Sequence, residues 1–286
     1  MAQWLSGKQV AEALGTETAE GVSSLISRGI LPCLAILRVG DDPGDQSYER
    51  GAVRRCESLG INVRLFHFPD TVAQEILDAA VEEINRDESI HSCLLLRPLP
   101  PYLDDEAIRS ALAPEKDTDG ITDGSLAGVF SGSGRGFAPC TAEACIKVLE
   151  HYKIGIEGKN VVVVGRSLVI GRPVAMLLLH RHATVTLCHT RTKNIAEICR
   201  QAEILVVAAG RQGVVDSSCF RPGQVVLDVG IHVGADGKIT GDVDFSQAEP
   251  LVSAITPVPG GIGAVTTAVL AAHVVKAAEI AGAAGR

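Results

Sequence analysis

The sequence predicts an α/β protein built from two parallel-sheet domains, and three observations carry that prediction. Apolar, β-branched runs of strand length alternate with longer helical patterns; the runs are continuously apolar, as in sheets covered on both faces; and the alternation occurs as two series separated by a Gly- and Ser-rich stretch.

In the first series the strand candidates are "CLAILRV" (33–39), "INVRLFHF" (61–68) and "SCLLLRPL" (92–99), with helical patterns over 43–60 and 71–86 between them. "AGVFSGSGRGFAPCT" (127–141) reads as an ordered connection that ends at a proline, and the helix "AEACIKVLEHY" (142–152) follows, so the domain boundary is placed near 140. The second series runs through "NVVVVG" (160–165), "ATVTLCH" (183–189), "EILVVAAG" (203–210) and "QVVLDVG" (224–230), again with helix-compatible segments between. The closing segment "TTAVLAAHVVKAAEIAG" (266–282) is a helix with a broad apolar face, able to cap the second domain or to return to the first.

Composition excludes several function classes. The chain has 286 residues, 46% of them hydrophobic, enough for one large or two ordinary cores. No uninterrupted apolar run approaches the ~20 residues of a membrane span, and "MAQWLSGKQVAEAL" lacks the features of a signal peptide, so a cytoplasmic protein with no membrane partner is expected. The eight cysteines form no C-x-x-C pair and read as reduced, buried thiols, with no metal site. A net charge of −8 with 3% aromatics argues against a nucleic-acid surface and for a small-molecule partner.

The first chemical signal is "VVVVGRSLVIGRP", a strand, a turn and a helix start with Gly165, Arg166, Ser167 and Gly171 as G-x-S-x-x-x-G. Glycines there let backbone approach a diphosphate, and the helix N-terminus supplies free N–H groups; a sterically required turn has the same spacing. The next strand ends in "LCHTRT", offering His189, Thr190 and Arg191 where an NAD-selective site places an acid for the ribose hydroxyls. Arg166 and Arg191 would welcome a 2′-phosphate, which favours NADP over NAD.

Further landmarks are "PEKDTDG" (114–120), "VLDVGIH" (226–232) and "ITPVPGGIGAVTTAVL" (255–270). Together with "GKNVVVVGRSLVIGRP", "ATVTLCHTRTKN" and "FAPCTAEA", they resemble the 5,10-methylenetetrahydrofolate dehydrogenase/cyclohydrolase family along nearly the whole chain, in the same order. The resemblance implies a homodimer whose subunit holds folate in a cleft between a catalytic domain, 1–139 completed by helix 266–286, and an NADP-binding Rossmann domain, 140–265. It implies that Tyr48 stacks on the pterin, that Asp119 binds the pterin's amino edge, and that Pro259, Gly260, Gly261, Ile262 and Gly263 line the folate site. Gly165, Arg166, Ser167, Gly171, Thr190, Arg191 and Ile231 would hold the dinucleotide. An aromatic plane suits a flat heterocycle, and a carboxylate accepts paired N–H donors. From the residues alone, Tyr48 could equally be a half-buried helix aromatic and Asp119 a turn residue.

The resemblance also exposes a departure. The family usually carries S-x-x-Y-x-x-x-K and a strand end Q-L-P-L-P, whereas this chain reads Asp45, Tyr48, Ala52 and then Leu95, Leu96, Arg97. The lysine is the family's best candidate for managing protons as water opens the methenyl bridge, and alanine cannot do that. At about 100° per residue Arg50 and Arg54 point away from Tyr48 while Arg55 returns to its face, and Arg97 stands near the strand end. Guanidinium groups hold their protons too tightly for acid–base work. The expectation is therefore an NADP-dependent dehydrogenase with weak or absent cyclohydrolase activity. The alternatives are the ordinary bifunctional enzyme, and a folate- and nucleotide-binding protein without turnover, for which "GAVT" (263–266) in place of G-P-M-T is further evidence.

Overall fold

The computed structural model of the chain describes residues 1–234 and 237–284, and its strands form a three-stranded and a six-stranded parallel sheet plus a small antiparallel hairpin. In chain order the elements are β1 (Gln3–Trp4), α1 (Gly7–Ser27), β2 (Cys33–Val39), α2 (Pro43–Ser58), β3 (Asn62–Phe68), α3 (Gln74–Arg86), β4 (Ser92–Leu95), α4 (Asp105–Ala111), α5 (Asp123–Ser131) and α6 (Cys140–His151). There follow β5 (Asn160–Val164), α7 (Gly171–Leu179), β6 (Thr184–Cys188), α8 (Ile195–Gln201), β7 (Ile204–Val207), β8 (Val225–Asp228), β9 (His232–Val233), β10 (Ile239–Thr240), α9 (Phe245–Ala248), β11 (Ala254–Ile255) and α10 (Ile262–Ala284).

The chain divides into two units, Ala13–Cys140 with the chain from Thr267 onward, and Met1–Glu12 with Thr141–Thr266. In the first, the sheet order is β3-β2-β4 and every residue of the central strand β2 is buried. Helix α3 shows why it packs there: Leu77, Ala80, Val81 and Ile84 recur at one face and are buried, while Asp78, Ala79, Glu82 and Glu83 between them are exposed. Within this unit α10 lies against α1, with Val275 filling the space beside Gly21 and Ile30 the space beside Gly282.

In the second unit the order is β1-β11-β8-β7-β5-β6, all parallel. Chain progression from β5 goes outward to β6 and then returns to β7 on the other side, so the strand order reverses between β5 and β7. In open α/β sheets ligands bind at such a reversal, beyond the carboxyl ends of the strands.

Several expectations need correction. Residues 1–12 belong to the second unit rather than to a 1–139 domain, because β1 pairs in parallel with β11 and the Gly7 amide donates to the Gly260 carbonyl at 2.8 Å. Strand β4 stops at Leu95 instead of reaching 99, since Pro98 and Pro100 remove the donors that would extend the ladder. The stretch 127–141 is in part helical, as α5, closed by Gly132 in the left-handed conformation. Continuous burial fails at the sheet edges: β3 and β6 carry partly exposed residues because neither has a neighbour on its outer side. Over Ile262–Ala283, α10 is long and apolar enough to cross a membrane by length and composition; 61% of an 18-residue part of it is buried inside the protein. Residues 285–286 of the expected closing helix lie outside the described residues.

Candidate active site

The sequence-predicted residues fall into two groups, one in each unit. In the first unit, α2 begins at Asp42, whose carboxylate accepts from the Gly44 and Asp45 amides at 2.8 and 3.1 Å, with Pro43 preset for the first turn. Its inward stripe is Glu49, Ala52 and Cys56. Glu49 is anchored by Arg38 Nε at 3.0 Å and His67 Nε2 at 2.9 Å, which fixes the rotation of the helix and hence the direction of Tyr48. Ala52 is 0% exposed, so its methyl group is buried on this stripe.

Tyr48, Asp119 and Arg97 are brought into electrostatic contact. Burial, then the Asp119 carboxylate and the thiols of Cys140 and Cys56, push the Tyr48 phenol well above its ordinary range and keep it neutral. Burial and the neighbouring Asp117 push the Asp119 carboxyl up to about 7, offset in part by the Cys140 thiol, His273 and Arg97. Asp119 is not the turn former of its loop. That role falls to Asp117, whose oxygens accept from the Ile121 and Thr122 amides at 3.0 and 2.7 Å. Behind Asp119, His273 Nδ1 lies 2.8 Å from the Thr118 carbonyl, which can only accept, so this ring nitrogen carries the proton. The Cys140 Sγ is 3.2 Å from the same carbonyl.

Leu95 and Leu96 are buried. Arg97 is held in a fork by Asp105 at 2.5 and 2.6 Å, and Asp105 also accepts from Arg109 at 2.9 Å. Arg55 does not reach the Tyr48 site as the helix geometry predicted; its Nη1 occupies the space beside Gly15 on α1. By sequence this unit has two lysines, Lys116 and Lys276. Lys116 Nζ donates to the carbonyls of Ile84 and Asp87 at 2.7 and 2.8 Å, and Lys276 is exposed on α10.

In the second unit, β5 ends at Gly165, which adopts φ +127°; a Cβ there would stand 2.0 Å from the Ala208 carbonyl oxygen. A Cβ at Gly171 would stand 2.2 Å from the Gly165 oxygen, so both turn positions accept only glycine. Between them Ser167 Oγ accepts from the Ile170 amide at 3.1 Å and shapes the start of α7. Arg166, Thr190 and Arg191 are exposed, and the Arg191 amide is pinned by His189 Nδ1 at 3.1 Å. Ile231 and Pro259–Gly263 line one cavity of about 280 Å³, so a predicted cofactor residue and the predicted folate loop face the same space. A larger cavity of about 610 Å³ adjoins it at Asp228, Ile239 and Pro257–Pro259.

Sequence reasoning missed three contributors. Gly7 packs against the predicted folate loop, a Cβ there falling 2.0 Å from the Gly261 oxygen. Asp228 and Asp242 are buried carboxylates that accept backbone amides. The D-x-G and G-D pairs, 228–230 and 241–242, were the available signal.

Comparison with known proteins covers the chain. A family profile described as tetrahydrofolate dehydrogenase/cyclohydrolase, catalytic domain, matches residues 5–119, and the NAD(P)-binding domain of the same family matches 139–282. The chain is 49% identical over 282 residues to a Bifunctional protein FolD of Carboxydothermus hydrogenoformans, covering 98% of both. Its fold is similar to the bifunctional FolD methylenetetrahydrofolate dehydrogenase/cyclohydrolase of Campylobacter jejuni, with TM-score 0.95, 38% identity and coverage of 98% and 99%. It is also similar to the Trypanosoma brucei enzyme solved with NADP cofactor and an inhibitor, with TM-score 0.92, 34% identity and 98% of each chain covered.

Proposed function

The chain belongs to the tetrahydrofolate dehydrogenase/cyclohydrolase family, and from that premise we propose that it oxidises 5,10-methylenetetrahydrofolate to the 5,10-methenyl form with NADP as hydride acceptor. The observations that carry the reading are the shared cavity of Ile231 and Pro259–Gly263 and, in the same unit, a turn that only glycine can make at Gly165 and Gly171. Those glycines, with Ser167, would let backbone close on the diphosphate; Arg166, Thr190 and Arg191 are free to meet the ribose and its 2′-phosphate. When bound, NADP supplies the ring that accepts the hydride.

The chain's own residues then have to bind and orient. Tyr48 offers a neutral ring for the pterin, on a helix whose rotation the Arg38–Glu49–His67 contacts fix. Asp119 offers a carboxyl group whose affinity for a proton near neutrality lets it accept or share N–H donors of the heterocycle. The C–H bond that breaks gives its electron pair to the acceptor and leaves a resonance-stabilised cation, so this step requires no protein acid or base, only alignment. We assign folate binding to the unit of Ala13–Cys140 and nucleotide binding to the unit of Thr141–Thr266. The family resemblance adds a cytoplasmic homodimer.

For hydrolysis of the methenyl product, the names of the relatives favour a bifunctional enzyme. A second reading, weak hydrolysis, is favoured by the residues present: a buried methyl at Ala52, a buried Leu96, and the two lysines of the unit placed elsewhere. One assay tests all of this. Purified protein is given methylenetetrahydrofolate with NADP or with NAD, and reduced nicotinamide and methenyl-folate absorbance are followed separately. Reduction of NADP in preference to NAD is expected. Methenyl-folate that accumulates supports weak hydrolysis, rapid decay at the rate of its formation supports the bifunctional enzyme, and no reduction of either nucleotide overturns the dehydrogenase reading.

A further inference from the structure

The two buried aspartates of the second unit have no part in the chemistry above, yet their contacts converge on the point where the strand order reverses. Asp242 is 0% exposed. Its Oδ2 accepts from the Ala209 amide at 2.6 Å and the Gly210 amide at 2.9 Å, and its Oδ1 accepts from the Arg211 amide at 2.9 Å. Three successive N–H groups closing on one anion make a nest, here filled by the protein's own carboxylate. The nest begins one residue after Ala208, whose carbonyl is the group that forbids a side chain at Gly165. Ala208 is in turn tied to β5 through its amide and the Val164 carbonyl at 2.8 Å.

The same carboxylate reaches the loop after β8. His232 Nε2 lies 2.7 Å from Asp242 Oδ1 and must donate, because an ionised carboxylate only accepts. His232 follows Ile231, which is 58% exposed and touches the folate loop at Gly263. Asp228 completes the interlock: it accepts from the Gly230, Asp242 and Val243 amides at 3.2, 3.0 and 3.1 Å. The glycines that flank the pair are required by it. A Cβ at Gly230 would fall 2.3 Å from Asp242 Cγ, and one at Gly241 would fall 1.8 Å from Asp228 Oδ2.

We propose that Asp242 is a positioning residue of the hydride-transfer site, its buried carboxylate holding the Ala209–Arg211 turn and, through His232, the loop that presents Ile231 in the single arrangement that receives the dinucleotide. The inference rests on the dehydrogenase reading of the preceding subsection. Asp242→Asn keeps the size of the side chain but turns an NH₂ group toward amides that can only donate, whichever way the side-chain amide is oriented. Buried donors left without an acceptor are costly.

The test joins hydrogen exchange on the protein without nucleotide to equilibrium binding of NADP. Expected for Asp242→Asn are amide exchange at Ala209–Arg211 faster by about tenfold or more, NADP binding weaker by about tenfold or more, and a KM for methylenetetrahydrofolate within about twofold of the parent. His232→Leu, which cannot donate, is expected to weaken NADP binding about threefold, and it decides the matter if Asp242→Asn does not fold. Unchanged NADP binding in the variant that folds, or a folate KM that rises in parallel with the NADP KM, overturns the inference. Failure of the parent protein to bind NADP, with its Ala209–Arg211 amides still protected, overturns the dehydrogenase reading instead and takes the nucleotide role of Asp242 with it.

Discussion

Each unit holds a pair of aspartates at its candidate site, and the backbone treats the two pairs differently. In the nucleotide unit both members, Asp228 and Asp242, are wrapped by amides, three to each carboxylate. In the unit proposed to bind folate the division is unequal: Asp117 takes the amides of Ile121 and Thr122, while Asp119, two residues on, faces Tyr48 and Arg97 and is pushed up to about 7. A carboxylate filled with N–H donors serves the fold, and one left among side chains in a poorly solvated place is available to a ligand. Substitution should therefore affect stability at Asp117 and function at Asp119.

The largest expected effect is at that division. Asp119→Asn removes the charged acceptor proposed for two N–H donors of the heterocycle and should lower kcat/KM for methylenetetrahydrofolate about 100-fold without loss of thermal stability. Asp117→Asn should do the reverse, lowering stability by about 3 kcal/mol in denaturant unfolding, because its loop amides lose an acceptor inside the protein. Steady-state kinetics and urea titrations on both variants check the pair. Equal loss of kcat/KM in the two would break the comparison.

The same contrast explains what could be read from the chain. Strand β2 was legible to the residue, because an apolar run interrupted only by Arg38, of strand length and followed by a helical pattern, has one natural use. Gly165 and Gly171 were legible as a turn, and the structure supplies the reason: a carbonyl oxygen stands where each Cβ would go. The PEKDTDG acids were legible as a site, but which acid turns the chain and which faces outward depends on amide directions that spacing does not encode. Asp242 was missed because its partners lie over thirty residues earlier, in a loop whose sequence shows only small residues and an arginine. Two-residue strands such as β1 and β11 carry too little periodicity to be seen, and they exist by pairing with distant neighbours.

A smaller effect is expected at Ala52. The position lies between Glu49 and Cys56 on the buried stripe of α2, so Ala52→Lys forces three extra carbons and a charged nitrogen into a buried position. Stability should fall by about 2 kcal/mol, measured by urea unfolding, with no gain in methenyl hydrolysis, since Leu96 has no polar atom with which to orient an amine. Ala52→Lys combined with Leu96→Gln should hydrolyse methenyl-folate faster than either single change. A single Ala52→Lys protein that hydrolyses rapidly would show that the cluster needs only the amine.

The smallest expected effect is in the pH dependence of stability, and its sign follows from the same carboxyl. Asp119 titrates at about 7 in the folded protein, against about 3.9 in an unfolded chain. Between those values the folded state binds more protons than the unfolded one, so stability falls as pH rises from about 4 to about 7 and levels off above. Removing the ionisable group removes that decline. Asp119→Asn should therefore melt about 2–4 °C above the parent at pH 8 and together with it near pH 4. Asp117→Asn should melt below the parent at both pH values, because its amides lose a partner whatever the proton concentration. Calorimetric melting of the three proteins at the two pH values reads the difference directly, and an Asp119→Asn protein no more stable than the parent at pH 8 would mean that Asp119 is as well solvated in the fold as in the open chain.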